Sequence, residues 1–338
     1  MKFSLQVGVS AALFLTGSLL PGCGPREASS TAPSTTPGSP AVQKTFLIGV
    51  SQANKGEPWR QAMNDQISAA AALHPELKVV FADAAQSNTK QVADVESFLQ
   101  QGINLLIISP NEAGPLTDVV AKAYDQHIPV ILLDRKVNGD KYTMWIGGDN
   151  KAIGIDAGKY VAKWCQDNGH DPCSVAEIRG LEGSTPAQER GAGFRTGIAD
   201  NKSVKIVASQ NADWLREKAL PVAQSMLQAN ANVDVIFSHN DPMAAAAILA
   251  ATTAHKDLSK MLFVGIDGLP TPDGGIKSVQ AGRQGVTYVY PTGGAAAIDS
   301  AVKILEKNQT PPKNVILPTD QVTQANAAQM LAKYGAKS

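Results

Sequence analysis

The stretch VILLDR, Val130–Arg135, places an acid and a guanidinium directly after four apolar residues. A continuous run of β-branched and leucine side chains is the pattern of a parallel strand buried on both faces. The carboxyl ends of such strands face the ligand crevice of an open sheet, so Asp134 and Arg135 point at whatever the chain handles. Taking both charges out of water costs several kcal/mol unless hydrogen bonds compensate. A polyol supplies that compensation, with Asp134 accepting from hydroxyls and Arg135 donating to oxygens. A mutually paired, exposed Asp–Arg is the alternative reading of this stretch taken alone.

The same chemistry recurs at other predicted strand ends. Trp59 and Arg60 follow the first strand, and Glu189 and Arg190 open the helix after the sixth. Asp213 and Trp214 follow SVKIVASQ, Asn240 and Asp241 follow VDVIFSH, Asp267 follows MLFVGI, and a late strand ends in Tyr288 and Tyr290. Each residue has an ordinary reading: Trp59 as core, Asp213 or Asp241 as a helix N-cap, Arg60 or Arg190 as a surface charge. Their coincidence at strand ends points instead to one cleft. Aromatic faces there would pack on the C–H faces of a sugar ring while Asp, Asn and Arg satisfy its hydroxyls, the needs of a small, polar, uncharged ligand.

The elements that must carry these residues alternate strand and helix from Thr45 onward. TFLIGVS, KVVFAD, INLLIISP, VILLDR and YTMWIGGDN read as strands separated by amphipathic helices, the first of them opened by Pro58. The pattern restarts with a helix over 150–168 and then SVAEIRG, SVKIVASQ, VDVIFSHND, KMLFVGIDG and GVTYVY as strands. VILPT is the last strand, followed by a short helix from Gln324. Two similar βα-alternating halves predict an α/β fold of two doubly wound, mainly parallel lobes.

Composition agrees. The 338 residues are too many for one ordinary core, and a formal net charge of zero lacks the basic footprint of nucleic-acid binding. Residues 1–22 pair a basic start with an apolar run and read as a secretory signal. Leu20-Pro21-Gly22-Cys23 resembles a bacterial lipobox, which makes Cys23 a lipidation site anchoring the chain to a membrane; Pro21 is unusual there, so cleavage by the ordinary signal peptidase is the alternative. Residues 23–43, almost all Ser, Thr, Pro and Gly over 24–41, form a flexible tether. In an exported chain Cys165 and Cys173 predict a short-loop disulfide; a metal site using His170 between them would lack a fourth ligand nearby.

Enzyme signatures are missing. The turn after the first strand has one glycine where a dinucleotide site needs three, and there is no phosphate loop or nucleophile elbow. The glycines of RGAGFRTG fall within a helix and are better explained by packing. The five histidines are scattered, and no two carboxylates are singled out as a glycosidase pair. The expectation is a binding protein with no catalytic residues, no cofactor and no metal.

From about Thr45 to its end the chain resembles the ribose/galactose class of periplasmic sugar-binding proteins that feed ABC transporters. The matching segments are SQANKGEPWR, VILLDR, GSTPAQERGAGF, SQNADW, FSHNDPMA and VGIDG. The Trp-Arg after the first strand and the CSVAEIRG and ERGAGF segments make it most similar to the galactofuranose-binding branch. The resemblance implies type I lobes joined by three crossover strands near 147–149, 289–291 and 317–320, closing on ligand like a hinge. The first lobe would take 44–148 plus 291–318, the second 149–290 plus 319–338. It also implies that Arg60, Asp134, Arg135, Arg190, Asn240 and Asp267 hold hydroxyls while Trp59 and Trp214 cover the ring. Tyr290 joins them from the strand-end inventory. Ribose binders carry two phenylalanines in place of Trp59-Arg60, which implies a ligand needing an extra donor. The implied partners are a monosaccharide and an ABC-transporter permease, with the chain a periplasmic or envelope-bound monomer. A sensor docking on a membrane receptor is the alternative. The lactose-repressor branch shares the fold but carries a helix-turn-helix where this sequence has the signal segment.

Overall fold

The computed structural model describes residues 44–335; the signal segment, Cys23 and most of the tether lie outside the described residues. The first five strands are β1 (Phe46–Gln52), β2 (Leu77–Asp83), β3 (Leu105–Ile108), β4 (Val130–Leu133) and β5 (Met144–Gly148). Between them run α1 (Pro58–Ala71), α2 (Asn88–Gln100) and α3 (Ala113–Asp125). The second half follows with α4 (Asn150–Asp167), β6 (Cys173–Arg179), α5 (Thr185–Ile198), β7 (Val204–Asn211), α6 (Arg216–Ala229), β8 (Val235–Ser238) and α7 (Asp241–Thr253). Then come β9 (Leu262–Val264), α8 (Gly275–Gln280), β10 (Val286–Val289), α9 (Gly294–Leu305), β11 (Asn314–Leu317), β12 (Asp320–Thr323) and α10 (Ala327–Gly335).

The strands form two six-stranded sheets, ordered β11-β5-β4-β3-β1-β2 and β12-β10-β9-β8-β6-β7. Every pairing is parallel except β10 with β12. Both lobes are therefore doubly wound with the same order. The chain passes between sheets three times: after β5, between β10 and β11, and between β11 and β12. The central strands β3, β4, β8 and β9 are buried throughout, as expected of strands covered by helices on both faces.

Two elements escaped the sequence reading. Strand β12, DQVT, buries only Val322 and pairs antiparallel at a sheet edge, so it shows no apolar run. Helix α8 is six residues long and opens at Gly274-Gly275, where turn chemistry hides it. The last helix begins at Ala327, three residues beyond Gln324, because β12 and a turn occupy the interval.

The RGAGFRTG glycines do pack. A Cβ on Gly193 would lie 2.3 Å from the Lys151 carbonyl, and one on Gly154 2.3 Å from the Arg190 carbonyl. Helices α4 and α5 thus touch backbone to backbone, which brings the start of α4 against Arg190. Cys165, near the end of α4, and Cys173, opening β6, form a disulfide. His170 stacks on Trp164 at 4.9 Å and faces Asp234 at 2.9 Å.

Candidate ligand-binding site

Strand carboxyl ends from both lobes converge on one cavity. Trp59 and Arg60 enter it from the first turn of α1, Asp134 and Arg135 from the end of β4, and Arg190 from α5. Trp214 precedes α6, Asn240 caps α7, Asp267 follows β9 and Tyr290 follows β10. The structure brings all nine sequence-predicted residues together. Each is only 1–6 % exposed, so this is a set of desolvated polar groups rather than a surface cluster.

Other strand-end residues point elsewhere. Glu189 meets Lys136 at 3.2 Å, Asp213 holds Lys218, and the Tyr288 hydroxyl accepts from Gln321. Asp241 is buried as an anchor: its carboxylate accepts from Gln284, Thr287 and the Gly268 amide. Two cavity residues, Glu57 and Pro186, were not named from sequence. Glu57 sits two residues before Trp59 at a helix N-cap position, where an acid reads as ordinary capping.

On the first lobe Arg60, Glu57 and Asp134 satisfy one another. Arg60 donates Nε to Glu57 at 3.3 Å, Nη1 to Gln52 and Ser109, and Nη2 to Asp134 at 3.1 Å. Burial opposes its charge, but the Glu57 and Asp134 carboxylates outweigh it and raise its pKa. Tyr290 donates its hydroxyl to the other Asp134 oxygen at 2.9 Å, and its phenol is pushed well up by burial and by that carboxylate. Trp59 lies 5.3 Å from the Tyr290 ring and donates Nε1 to the Tyr290 carbonyl.

Four groups of the lining remain undersatisfied, one of them the buried Trp214 Nε1, which has no hydrogen-bond partner. Arg135 donates Nη1 to the Asn111 carbonyl at 2.7 Å, while its Nε stands 3.8 Å from an Asp134 oxygen and makes no hydrogen bond; burial, then repulsion from Arg60, lowers its pKa to about 9. Arg190 donates Nε to Asn150 and Nη1 to the His239 carbonyl, leaving Nη2 free. Both guanidiniums lie over the Trp214 indole, at 5.6 and 5.4 Å, within cation–π range. The Asp267 carboxyl, 6 % exposed, accepts no hydrogen bond from any described residue. Its pKa is raised well above the ordinary value by burial and then by the nearby Asp241 charge.

The backbone is strained where these groups are aimed. Asp134, Trp214 and Asp267 have φ of 67°, 73° and 130°, conformations L-residues adopt at a cost of about 1–3 kcal/mol each. Across the cleft the Ala113 amide donates to the Gly183 carbonyl and the Lys136 amide to the Thr185 hydroxyl, so the lobes meet around the cavity. Among the described residues one group could hold an ion, His74, Glu76 and Glu306, and none of the three lines the cavity.

Fold and site together define a two-lobed protein in which strand carboxyl ends of both sheets line one buried polar cavity. Residues 48–310 match the periplasmic binding protein domain, and the chain belongs to that family. The ribose import binding protein RbsB of Bacillus subtilis (strain 168) is 32% identical over 69% of this chain and 73% of its own length. The galactofuranose-binding protein YtfQ of Escherichia coli (strain K12) is 30% identical over 82% and 88%. Among solved structures, the fructose binding periplasmic domain of a hybrid two component system superposes with a TM-score of 0.82 at 38% identity, covering 86% of this chain and 95% of that one.

Proposed function

We propose that this protein captures a monosaccharide, galactofuranose-like in ring form, between its lobes and delivers it to the permease of an ABC transporter. The observation that carries the reading is one buried cavity that holds an acid, Asp267, beside the arginines Arg135 and Arg190, with Arg135 Nε and Trp214 Nε1 left without hydrogen-bond partners. A ligand there must donate and accept at once. Three arginines and three acidic residues, Glu57, Asp134 and Asp267, line the wall. The furanose preference draws on the Trp59-Arg60 resemblance and on the galactofuranose-binding relative.

In this reading all nine residues are ligand contacts, with Trp59 and Trp214 covering the ring and the polar groups and Tyr290 meeting hydroxyls. The lobes are residues 44–148 plus 291–318 and 149–290 plus 319–338, a division that sheet membership supports. Capture is hinge closure about the three crossings. The protein acts as a monomer in the periplasm or envelope, tethered through an acylated Cys23, and binds without transforming its ligand.

A thermal-shift screen of the full chain against monosaccharides tests it. A sugar at about a hundredfold over its dissociation constant adds about 2.7 kcal/mol of stability. A flat screen on protein freed of co-purified ligand would sink the reading. The second reading, a sensor docking on a membrane receptor, is favoured by the two component system neighbour. Deleting the partner permease separates the two: uptake is lost only if the protein serves transport.

A further inference from the structure

Asn150 is outside the cavity lining, yet both ends of its side chain are bonded to residues inside it. It is 1 % exposed and stands at the first position of α4, directly after the first crossing between lobes. Its Oδ1 accepts from Arg190 Nε at 2.8 Å, and its Nδ2 donates to the Tyr290 hydroxyl at 3.0 Å. Arg190 Nε can only donate, so the amide oxygen must face it and the amide nitrogen must face Tyr290. With one oxygen lone pair taken by Asn150, the single Tyr290 proton goes to Asp134, and Asp134 in turn accepts from Arg60.

The result is one unbroken chain of hydrogen bonds, Arg190–Asn150–Tyr290–Asp134–Arg60. It begins on α5 in the second lobe, passes through Tyr290 at the second crossing, and ends on α1 in the first lobe. Its terminal members are the groups proposed to hold the ligand. Asparagine fits the middle place because it offers an acceptor and a donor from one short side chain; alanine offers neither, and an ionised aspartate cannot donate. The backbone contact of α4 with α5, made possible by Gly154 and Gly193, sets Asn150 within reach of Arg190.

We infer that Asn150 is a positioning residue for ligand capture, aiming the Arg190 guanidinium and directing the Tyr290 proton to Asp134 so that the two half-sites are registered against each other. This rests on the sugar-binding reading of the cavity. It gives a residue that touches no ligand a direct hold on affinity.

The test compares the full-length wild type with Asn150→Ala, Asn150→Asp, Tyr290→Phe and the Asn150→Ala/Tyr290→Phe double variant. Calorimetry with D-ribose, D-fructose, L-arabinose and D-galactose gives the affinities, and thermal melts are run alongside. Ser87→Ala is the structural control, because it removes the α2 cap that accepts from the Lys90 amide, away from the crossings and the chain of bonds. Asn150→Ala is expected to weaken binding about tenfold or more, the effect of losing two buried hydrogen bonds. Asn150→Asp, which keeps the Arg190 half only, is expected to bind more weakly than wild type too. The double variant should bind little worse than the weaker single one, since both cut the same chain. Ser87→Ala should lower the melting temperature and leave affinity alone. Wild-type affinity in Asn150→Ala, or effects that multiply in the double variant, overturns the inference while sugar binding stands. A wild type that binds none of the four sugars removes the sugar reading and this inference with it.

Discussion

The indole of Trp214 lies against Gly180 so closely that a Cβ on Gly180 would stand 2.2 Å from Trp214 Cζ2. No side chain fits there, and the contact is what holds the ring beneath Arg135 and Arg190. Gly180→Ala must push the indole into the cavity or away from the guanidiniums. It is expected to cost about 1–3 kcal/mol in stability, the usual toll of overpacking. Sugar affinity should fall at the same time, read by calorimetry on the same sample. Unchanged binding in a folded Gly180→Ala variant would show that Trp214 does not shape the site.

Asp267 predicts a pH dependence of stability. Its pKa is raised by burial and by Asp241, so the folded state holds a proton that the unfolded chain, with an ordinary carboxyl, has already released. Where the folded state binds more protons, stability falls as pH rises. The ligand-free protein should therefore lose stability from the ordinary aspartate range upward until the folded-state pKa is passed. Asp267→Asn should flatten that slope and stabilise the ligand-free protein at neutral pH by about 1–3 kcal/mol, the cost of an unsatisfied buried group. The same variant should lose sugar binding. Melts across pH in both proteins check it, and an unaltered slope would remove Asp267 as the cause.

These residues mark how far the amino-acid pattern could be read. The positions of Asp134, Asn240 and Asp267 were legible because each follows a run of β-branched and aliphatic residues that can only be a buried strand. Their aim was not. Asp134, Trp214 and Asp267 turn inward through positive φ, which no local signal announces in residues other than glycine. Glu57 and Asn150 sit at helix starts, where Glu and Asn are commonplace, and only the fold shows that their side chains serve the cavity or its lining. Strand β12 was hidden for a similar reason: an edge strand with one buried side chain has no alternation to display.

The disulfide between Cys165 and Cys173 closes a loop with a sequence separation of 8. Loop-closure entropy for so short a span contributes about 2–3 kcal/mol. Replacing both cysteines by serine should lower the melting temperature by several degrees, and reduction of the wild type should do the same. Neither cysteine lines the cavity, so sugar affinity should stay at its wild-type value. A loss of affinity with no loss of stability would contradict the placement of this bridge as a staple between α4 and β6.

Arg135 offers the most direct test of the site. Its guanidinium is 2 % exposed, donates once to the Asn111 carbonyl, and carries a charge that burial and Arg60 oppose. Such a group gives the ligand-free fold little, since its desolvation offsets its one charge-assisted bond. Arg135→Ala should shift the melting temperature by no more than about 2–4 °C, the effect of roughly 1 kcal/mol in a chain of this size. Binding should suffer far more. Charge-assisted hydrogen bonds are worth about 1.5–3 kcal/mol each, so losing two to a sugar weakens affinity by more than about a hundredfold. Arg135→Lys keeps the charge but not the planar fork, and should fall between the two. Near-normal affinity in a well-folded Arg135→Ala protein would mean that the sugar is held elsewhere and that the Asp134–Arg135 pair only terminates its strand.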